Sequence, residues 1–133
     1  MIRVTRRLPL TMYTRPQRMD ELLRWLPVFV FAQVIEVPVY VVPLRRVGWR
    51  GSRLVLAAFG ATALTHPFVW FVFPRLLPRS LWLMVFVSES FAVVIEAAYL
   101  RLLGVRRPLG WSFLSNMLSF ALGAIGHFTI GWP

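Results

Sequence analysis

Four apolar runs of about twenty residues each constrain this chain more than any other feature of its sequence. They cover residues 25–44, 54–73, 81–100 and 111–130, and short arginine-rich segments separate them. A twenty-residue helix rises about 30 Å, which matches the hydrocarbon thickness of a bilayer. Backbone polar groups in lipid must be satisfied within each segment, and no alternating barrel pattern is present. The sequence therefore predicts four transmembrane helices.

The composition and the charge distribution agree with this interpretation. Hydrophobic residues make up 58% of the chain, and the mean hydropathy is +0.66. The net charge is +10, and all 15 basic residues are arginines clustered before and between the apolar runs. Such clusters are typical of membrane flanks that face lipid phosphates, and they form no continuous basic face for nucleic acid. The absence of cysteine excludes disulfides and thiolate chemistry.

The connections predict how the helices are arranged. Residues 45–53, 74–80 and 101–110 are so short that successive helices must be antiparallel neighbours. We therefore expect an all-α membrane protein, an up-down bundle of four transmembrane helices within residues 22–133. Residues 1–21 form a basic interfacial segment. Eight arginines lie on the N-terminal side and seven on the other. Since the first helix usually dominates, the N-terminus is expected inside.

The two halves of the chain resemble each other. Val34-Ile35-Glu36, with Tyr40 and Arg45-Arg46 after it, parallels Val94-Ile95-Glu96, with Tyr99 and Arg101 after it. Residues 62–66 then parallel residues 115–119. Each half contains two crossings, so both copies would have the same orientation. We interpret this as a tandem duplication of a helical hairpin.

Polar side chains inside the four runs are the candidates for chemistry, because an unpaired ionisable group in lipid costs several kcal/mol. The periodicity places one polar stripe on each helix, and all four stripes are expected to face a common interior. The predicted site consists of Glu36, His66, Glu89, Glu96 and Asn116. Supporting residues are Gln33, Tyr40, Thr65, Ser119 and His127.

The estimated depths of these residues form a ladder from the side of the 45–53 loop. Glu96 and Asn116 lie roughly 6 to 8 Å deep, and Glu36 about 12 Å. His66 and Glu89 lie about 17 Å deep, and His127 about 24 Å. One water bridges gaps of this size, and carboxyl and imidazole groups exchange protons near neutral pH. The ladder therefore predicts binding or relay of protons or a cation.

Four other interpretations remain open for the same residues. Glu89 with His66, and Glu96 with Asn116, can act as interhelical contacts only. Glu36, His66, Glu89 and Glu96 can hold a divalent metal. His66 and His127, on the second and fourth helices, can ligate a b-type haem. Glu89 with His66 can be an acid–base pair of an intramembrane enzyme, although no nucleophile motif is present. The sequence itself requires no cofactor.

The Thr65-His66-Pro67 element and the short arginine-rich loops resemble small uncharacterised bacterial four-helix integral membrane proteins. The resemblance spans most of the chain and implies a bacterial inner-membrane location, and that group has no established activity. Four short helices enclose little space, so we expect a homo-oligomer. The rival hypothesis is a noncatalytic accessory or assembly subunit of a larger membrane complex.

Overall fold

The computed structural model describes residues 15–131, and this part of the chain is helical without any strand. Its elements are α1 (Arg15–Arg46), α2 (Gly51–Phe71), the short α3 (Phe73–Leu76), α4 (Leu81–Leu102) and α5 (Pro108–Ile130). The four long helices are each long and apolar enough to cross a membrane. The predicted all-α four-helix architecture of a multi-pass membrane protein is thereby confirmed.

The helices extend beyond the predicted apolar runs. The first begins at Arg15, so residues 15–21 of the predicted interfacial segment continue into α1, and residues 1–14 lie outside the described residues. It then passes through Pro27, Pro38 and Pro43 without interruption. Neighbouring helices in a membrane protein supply the contacts that make such prolines tolerable. The arginines that flank the first apolar run, from Arg15 to Arg46, therefore belong to α1, whereas Arg50, Arg79, Arg106 and Arg107 lie in the connections.

The long helices form a closed ring in which every helix has two neighbours. Helices α2 and α5 each pack against both α1 and α4. Going round the bundle, the order is α1, α2, α4, α5, so α1 and α4 lie on one diagonal and α2 and α5 on the other. A side chain that points inward from α1 is thus flanked by α2 and α5, and the same holds for α4.

The first helix of each hairpin ends in the same type of turn. Gly48 and Gly104 follow α1 and α4 with φ angles of +103° and +86°, in the left-handed region that favours glycine. The next residue in each case donates its N–H to a carbonyl five residues back, Trp49 to Leu44 at 3.1 Å and Val105 to Leu100 at 3.0 Å. This is the Schellman arrangement that commonly ends helices. The shared turn agrees with a repeated hairpin, and the duplication itself stays a prediction.

The bundle interior next to these turns is filled by apolar side chains. We call this cluster the closed end, and its members are Tyr40, Leu44, Leu54, Ala57, Ala58, Ala61, Leu100 and Val105. Alanines on α2 let the larger side chains of α1 and α4 approach closely, as small residues do in membrane bundles. The Trp49 indole donates to the Leu103 carbonyl at 3.2 Å and joins the two turns. The bundle is therefore tightly packed at this end.

Gly60 permits a close contact between α2 and α4. A Cβ at this position would lie 2.7 Å from the Tyr99 hydroxyl oxygen. We expect Gly60→Ala to lower the free energy of unfolding by about 1 kcal/mol, because Tyr99 must move aside. The loss should shrink in a Tyr99→Phe background, and unfolding of both variants in mixed detergent micelles measures this. An equal loss in both backgrounds would contradict the contact.

Candidate functional site

A cavity of about 490 Å³ lies between the four long helices, at the end of the bundle opposite the closed end. Its outer part is lined by Leu81 and Trp82 in the first turn of α4 and by Phe128 near the end of α5. These three side chains are exposed. The inner part reaches the carboxyl groups of Glu36 and Glu96. The cavity thus has an apolar mouth and a polar floor.

The carboxylate of Glu36 is the first component of the floor. Glu36 is only 3% exposed and points from α1 towards both neighbouring helices. It accepts hydrogen bonds from the Thr62 hydroxyl on α2 at 2.5 Å and from the Ser119 hydroxyl on α5 at 2.6 Å. Each carboxylate oxygen receives one of these bonds, and each keeps a lone pair for another donor.

The carboxylate of Glu96 is the second component, and it is more densely bonded. Glu96 lies on α4 and is 1% exposed. It accepts hydrogen bonds from Thr65 and Asn116, both at 2.6 Å, and a longer one from Ser112 at 3.5 Å. The Tyr40 hydroxyl donates to it from α1, across the diagonal of the bundle. Glu96 therefore connects all four long helices.

The two carboxylates have matching surroundings. Thr62 and Thr65 lie one turn apart on α2, and Asn116 and Ser119 lie one turn apart on α5. Each glutamate takes one donor from each of these pairs. The stripes that the sequence places on α2 and α5 thus converge with those on α1 and α4. Glu36, Glu96, Asn116, Thr65, Ser119 and Tyr40 form one network, as the periodicity predicts.

No arginine lines this cavity among the described residues. The one ion pair in the described part of the chain joins Arg75 to Glu21 at 2.9 Å, outside the cavity. Glu36, Glu89 and Glu96 consequently have no positively charged partner among the side chains that the structure describes. A buried carboxylate in this situation must be protonated or must recruit a cation from outside.

His66 is held by an aromatic partner rather than by Glu89. Its Nδ1 accepts a hydrogen bond from the Trp25 indole N–H at 2.9 Å. An imidazole that accepts at Nδ1 carries its proton on Nε2 when it is neutral. Glu89 lines the cavity at mid-height and has no hydrogen bond to any described residue. Of the two contacts that the interhelical-contact interpretation proposes, the Glu89–His66 hydrogen bond is therefore not formed, whereas the Glu96–Asn116 hydrogen bond is.

The Trp25–His66 bond gives a stability prediction. Replacing Trp25 by Phe leaves Nδ1 of His66 without its donor while most of the aromatic packing against Phe29 is kept. We expect the free energy of unfolding to fall by about 1 kcal/mol. Trp70→Phe is the matched control, because Trp70 is half-buried like Trp25 and its indole makes no hydrogen bond to a described residue. Equal losses in the two variants would contradict the assignment.

The metal and haem interpretations find little support in this geometry. The part of the chain that the structure describes contains no group of three or more His, Cys, Asp or Glu side chains able to hold a metal ion. Glu36, His66, Glu89 and Glu96 are thus spread along one cavity instead of converging. His127 also lines the cavity. Haem ligation by Nε2 of His66 needs the opposite tautomer from the one that the Trp25 bond selects.

Two contributors to the site are missing from the predicted polar stripes, since Ser112 binds Glu96 and Trp25 binds His66. Thr62 lies on the predicted stripe of the second helix and binds Glu36, although it is not among the predicted site residues. Ser112 precedes Asn116 by one turn on the same face, and that spacing is the signal that could have identified it. Gln33 instead donates to the Phe59 carbonyl at 3.3 Å and does not line the cavity.

Comparison with protein-family models, with curated proteins and with solved structures gives no match to this chain. The cavity and its hydrogen-bond network are therefore the basis for assigning a function.

Proposed function

We propose that this protein binds protons or a cation at Glu36 and Glu96, within the membrane. The observation that carries the proposal is the pair of buried carboxylates at the floor of a cavity, with no positive partner among the described residues. Hydroxyl and amide donors orient both carboxyl groups, and they supply no net charge. A proton or an external cation is the remaining means of neutralisation.

The residues that line the cavity between its mouth and its floor support a path for protons. Glu89 and His66 line the cavity between the outer residues and the floor, and His127 lies nearer the mouth. Glu89 has no described hydrogen-bond partner, so its carboxyl group is free to exchange protons with water in the cavity. Water bridges polar groups separated by more than one hydrogen-bond length. We propose that these three residues carry protons to and from Glu36 and Glu96.

Infrared titration of the protein in lipid vesicles tests this function. We expect the protonated-carboxyl C=O band to change reversibly with the pH of the bulk solution. One component of the change should disappear in Glu36→Gln and another in Glu96→Gln, since the amide lacks that band. Glu21→Gln is the control, because Glu21 is paired with Arg75 outside the cavity. A band that does not respond to pH would show that these carboxyl groups are structural and inaccessible.

A second candidate function is a noncatalytic accessory or assembly subunit, in which the carboxylates only hold the helices together. The dense bonding of Glu96 favours it, because four described side chains already occupy that carboxylate. On this proposal the protein works within a larger complex of the bacterial inner membrane, whereas the first candidate function is expected of a homo-oligomer. Native mass measurement from mild detergent distinguishes the two, because a different partner protein would remain bound only in the second case.

A further inference from the structure

The hydrogen-bond donors of the cavity floor are already used. The hydroxyl protons of Thr62, Thr65 and Ser119 point at the two carboxylates. The Asn116 amide divides its two N–H groups between Glu96 at 2.6 Å and the Ser112 carbonyl at 3.0 Å. Both oxygens of Glu36 and Oε1 of Glu96 each accept one described hydrogen bond and retain an unused lone pair, whereas Oε2 of Glu96 is fully used. The floor therefore offers acceptors and negative charge to a ligand, and it offers no free donor.

The walls of the same cavity have the opposite character. Between the floor and the mouth they consist mainly of apolar and aromatic side chains, including Phe31, Val69, Trp70, Trp82, Val85 and Phe120. The volume of about 490 Å³ lies within the usual range for small-molecule sites. A bare metal ion or a proton would bind at the floor and make no use of the apolar part of the cavity. Aromatic faces, by contrast, attract both apolar groups and organic cations.

We infer that the cavity binds an organic amine in its protonated form, with the ammonium group at Glu36 and Glu96 and an apolar body against the walls. This inference rests on the proposed cation site and specifies its ligand class. The N–H groups of a primary or secondary ammonium match the unused carboxylate lone pairs, as charge-assisted hydrogen bonds. A carboxylate or phosphate group is disfavoured at the floor, because it finds no free donor there and meets two acidic side chains.

Octylammonium is a suitable probe, since it joins one ammonium group to an unbranched apolar chain. Octanoate is its control, with the same chain length and the opposite charge. We expect isothermal titration calorimetry of the protein in phosphatidylcholine nanodiscs to show saturable binding of octylammonium. Octanoate should show only the partitioning seen with empty nanodiscs. Binding of both probes with equal affinity would overturn the inference, because the floor would then play no part.

Two kinds of variant locate the site. Glu36→Gln and Glu96→Gln should each weaken octylammonium binding about tenfold or more, the usual effect of losing one charged hydrogen-bond partner. Gly123→Leu should weaken binding by occupying part of the cavity. A Cβ at Gly123 meets only Phe31, at an ordinary 3.8 Å, so the backbone at this position accepts a side chain. Glu21→Gln, outside the cavity, should bind as the wild type does.

The outcomes separate this inference from the proposed function. If octylammonium fails to bind while the infrared titration of Glu36 and Glu96 persists, the amine specificity is wrong and the proton site stands. If the carboxyl bands do not titrate, the proposed function fails, whatever the calorimetry shows. Unchanged binding in Gly123→Leu, with the folded state verified by circular dichroism, would place the amine elsewhere and overturn the inference.

Discussion

Replacing Glu96 by alanine is expected to lower the free energy of unfolding by about 3 kcal/mol, one of the two largest single-site effects in this bundle. The substitution removes the shared acceptor of Tyr40, Thr65 and Asn116. Hydrogen bonds between membrane helices are individually worth only about 0.6 kcal/mol on average, so their number and the void left by the side chain produce the effect. Unfolding in mixed detergent micelles measures it.

Glu89→Ala provides the matched comparison on the same helix. Glu89 has no hydrogen bond to a described residue, so its loss should change the free energy of unfolding by less than about 1 kcal/mol. Glu96→Gln keeps the size of the side chain and one carbonyl acceptor. Its loss in the free energy of unfolding should lie between those of Glu96→Ala and Glu89→Ala. Similar losses in Glu96→Ala and Glu89→Ala would mean that the network around Glu96 does not hold the bundle together.

Replacing Tyr40 by alanine is the second substitution with a large expected effect. Tyr40 is completely buried, lies in the closed end, and donates to Glu96 from the opposite corner of the bundle. Truncating a large buried aromatic side chain typically costs about 3–5 kcal/mol, since the surrounding atoms lose their packing contacts. That loss does not depend on water, so it applies in a bilayer as well. The same detergent unfolding assay measures it.

Tyr40→Phe separates packing from hydrogen bonding at this position. It keeps the ring and removes only the hydroxyl group, so we expect a cost of about 1 kcal/mol. Val42→Ala is the external control, because Val42 is 40% exposed on the outer face of α1. If Tyr40→Ala were no worse than Val42→Ala, the closed end would not be tightly packed around Tyr40.

The fold can be predicted from the sequence, because an apolar segment long enough to span a bilayer can adopt few structures other than a helix. The four runs of residues are confirmed as helices, and the polar stripes do converge on one interior. Glu96 and Asn116 are the clearest example. The sequence places them at a similar depth and on inward faces, and they are hydrogen-bonded in the structure. The helix ends are less predictable, because polar and basic residues can continue a helix where the chain leaves the hydrocarbon. This is why residues 15–24, which precede the first apolar run, are part of α1.

The partner of each polar side chain is harder to predict, since it depends on how each helix is rotated and tilted by packing. His66 and Glu89 have similar estimated depths, yet His66 faces Trp25, and their contact is not formed. Gln33 shares a stripe with Glu36 but lies outside the cavity. The cavity between the helices likewise cannot be predicted from the sequence, because it depends on how completely the side chains fill the interior of the bundle.

The tightly packed closed end limits access to the cavity among the described residues. Tyr40, Leu44 and Leu100 are fully buried beyond Glu36 and Glu96. On the proposed function, a ligand that enters from the mouth would therefore have to leave by the same route. Passage across the membrane would require a second conformation in which the side chains of the closed end separate.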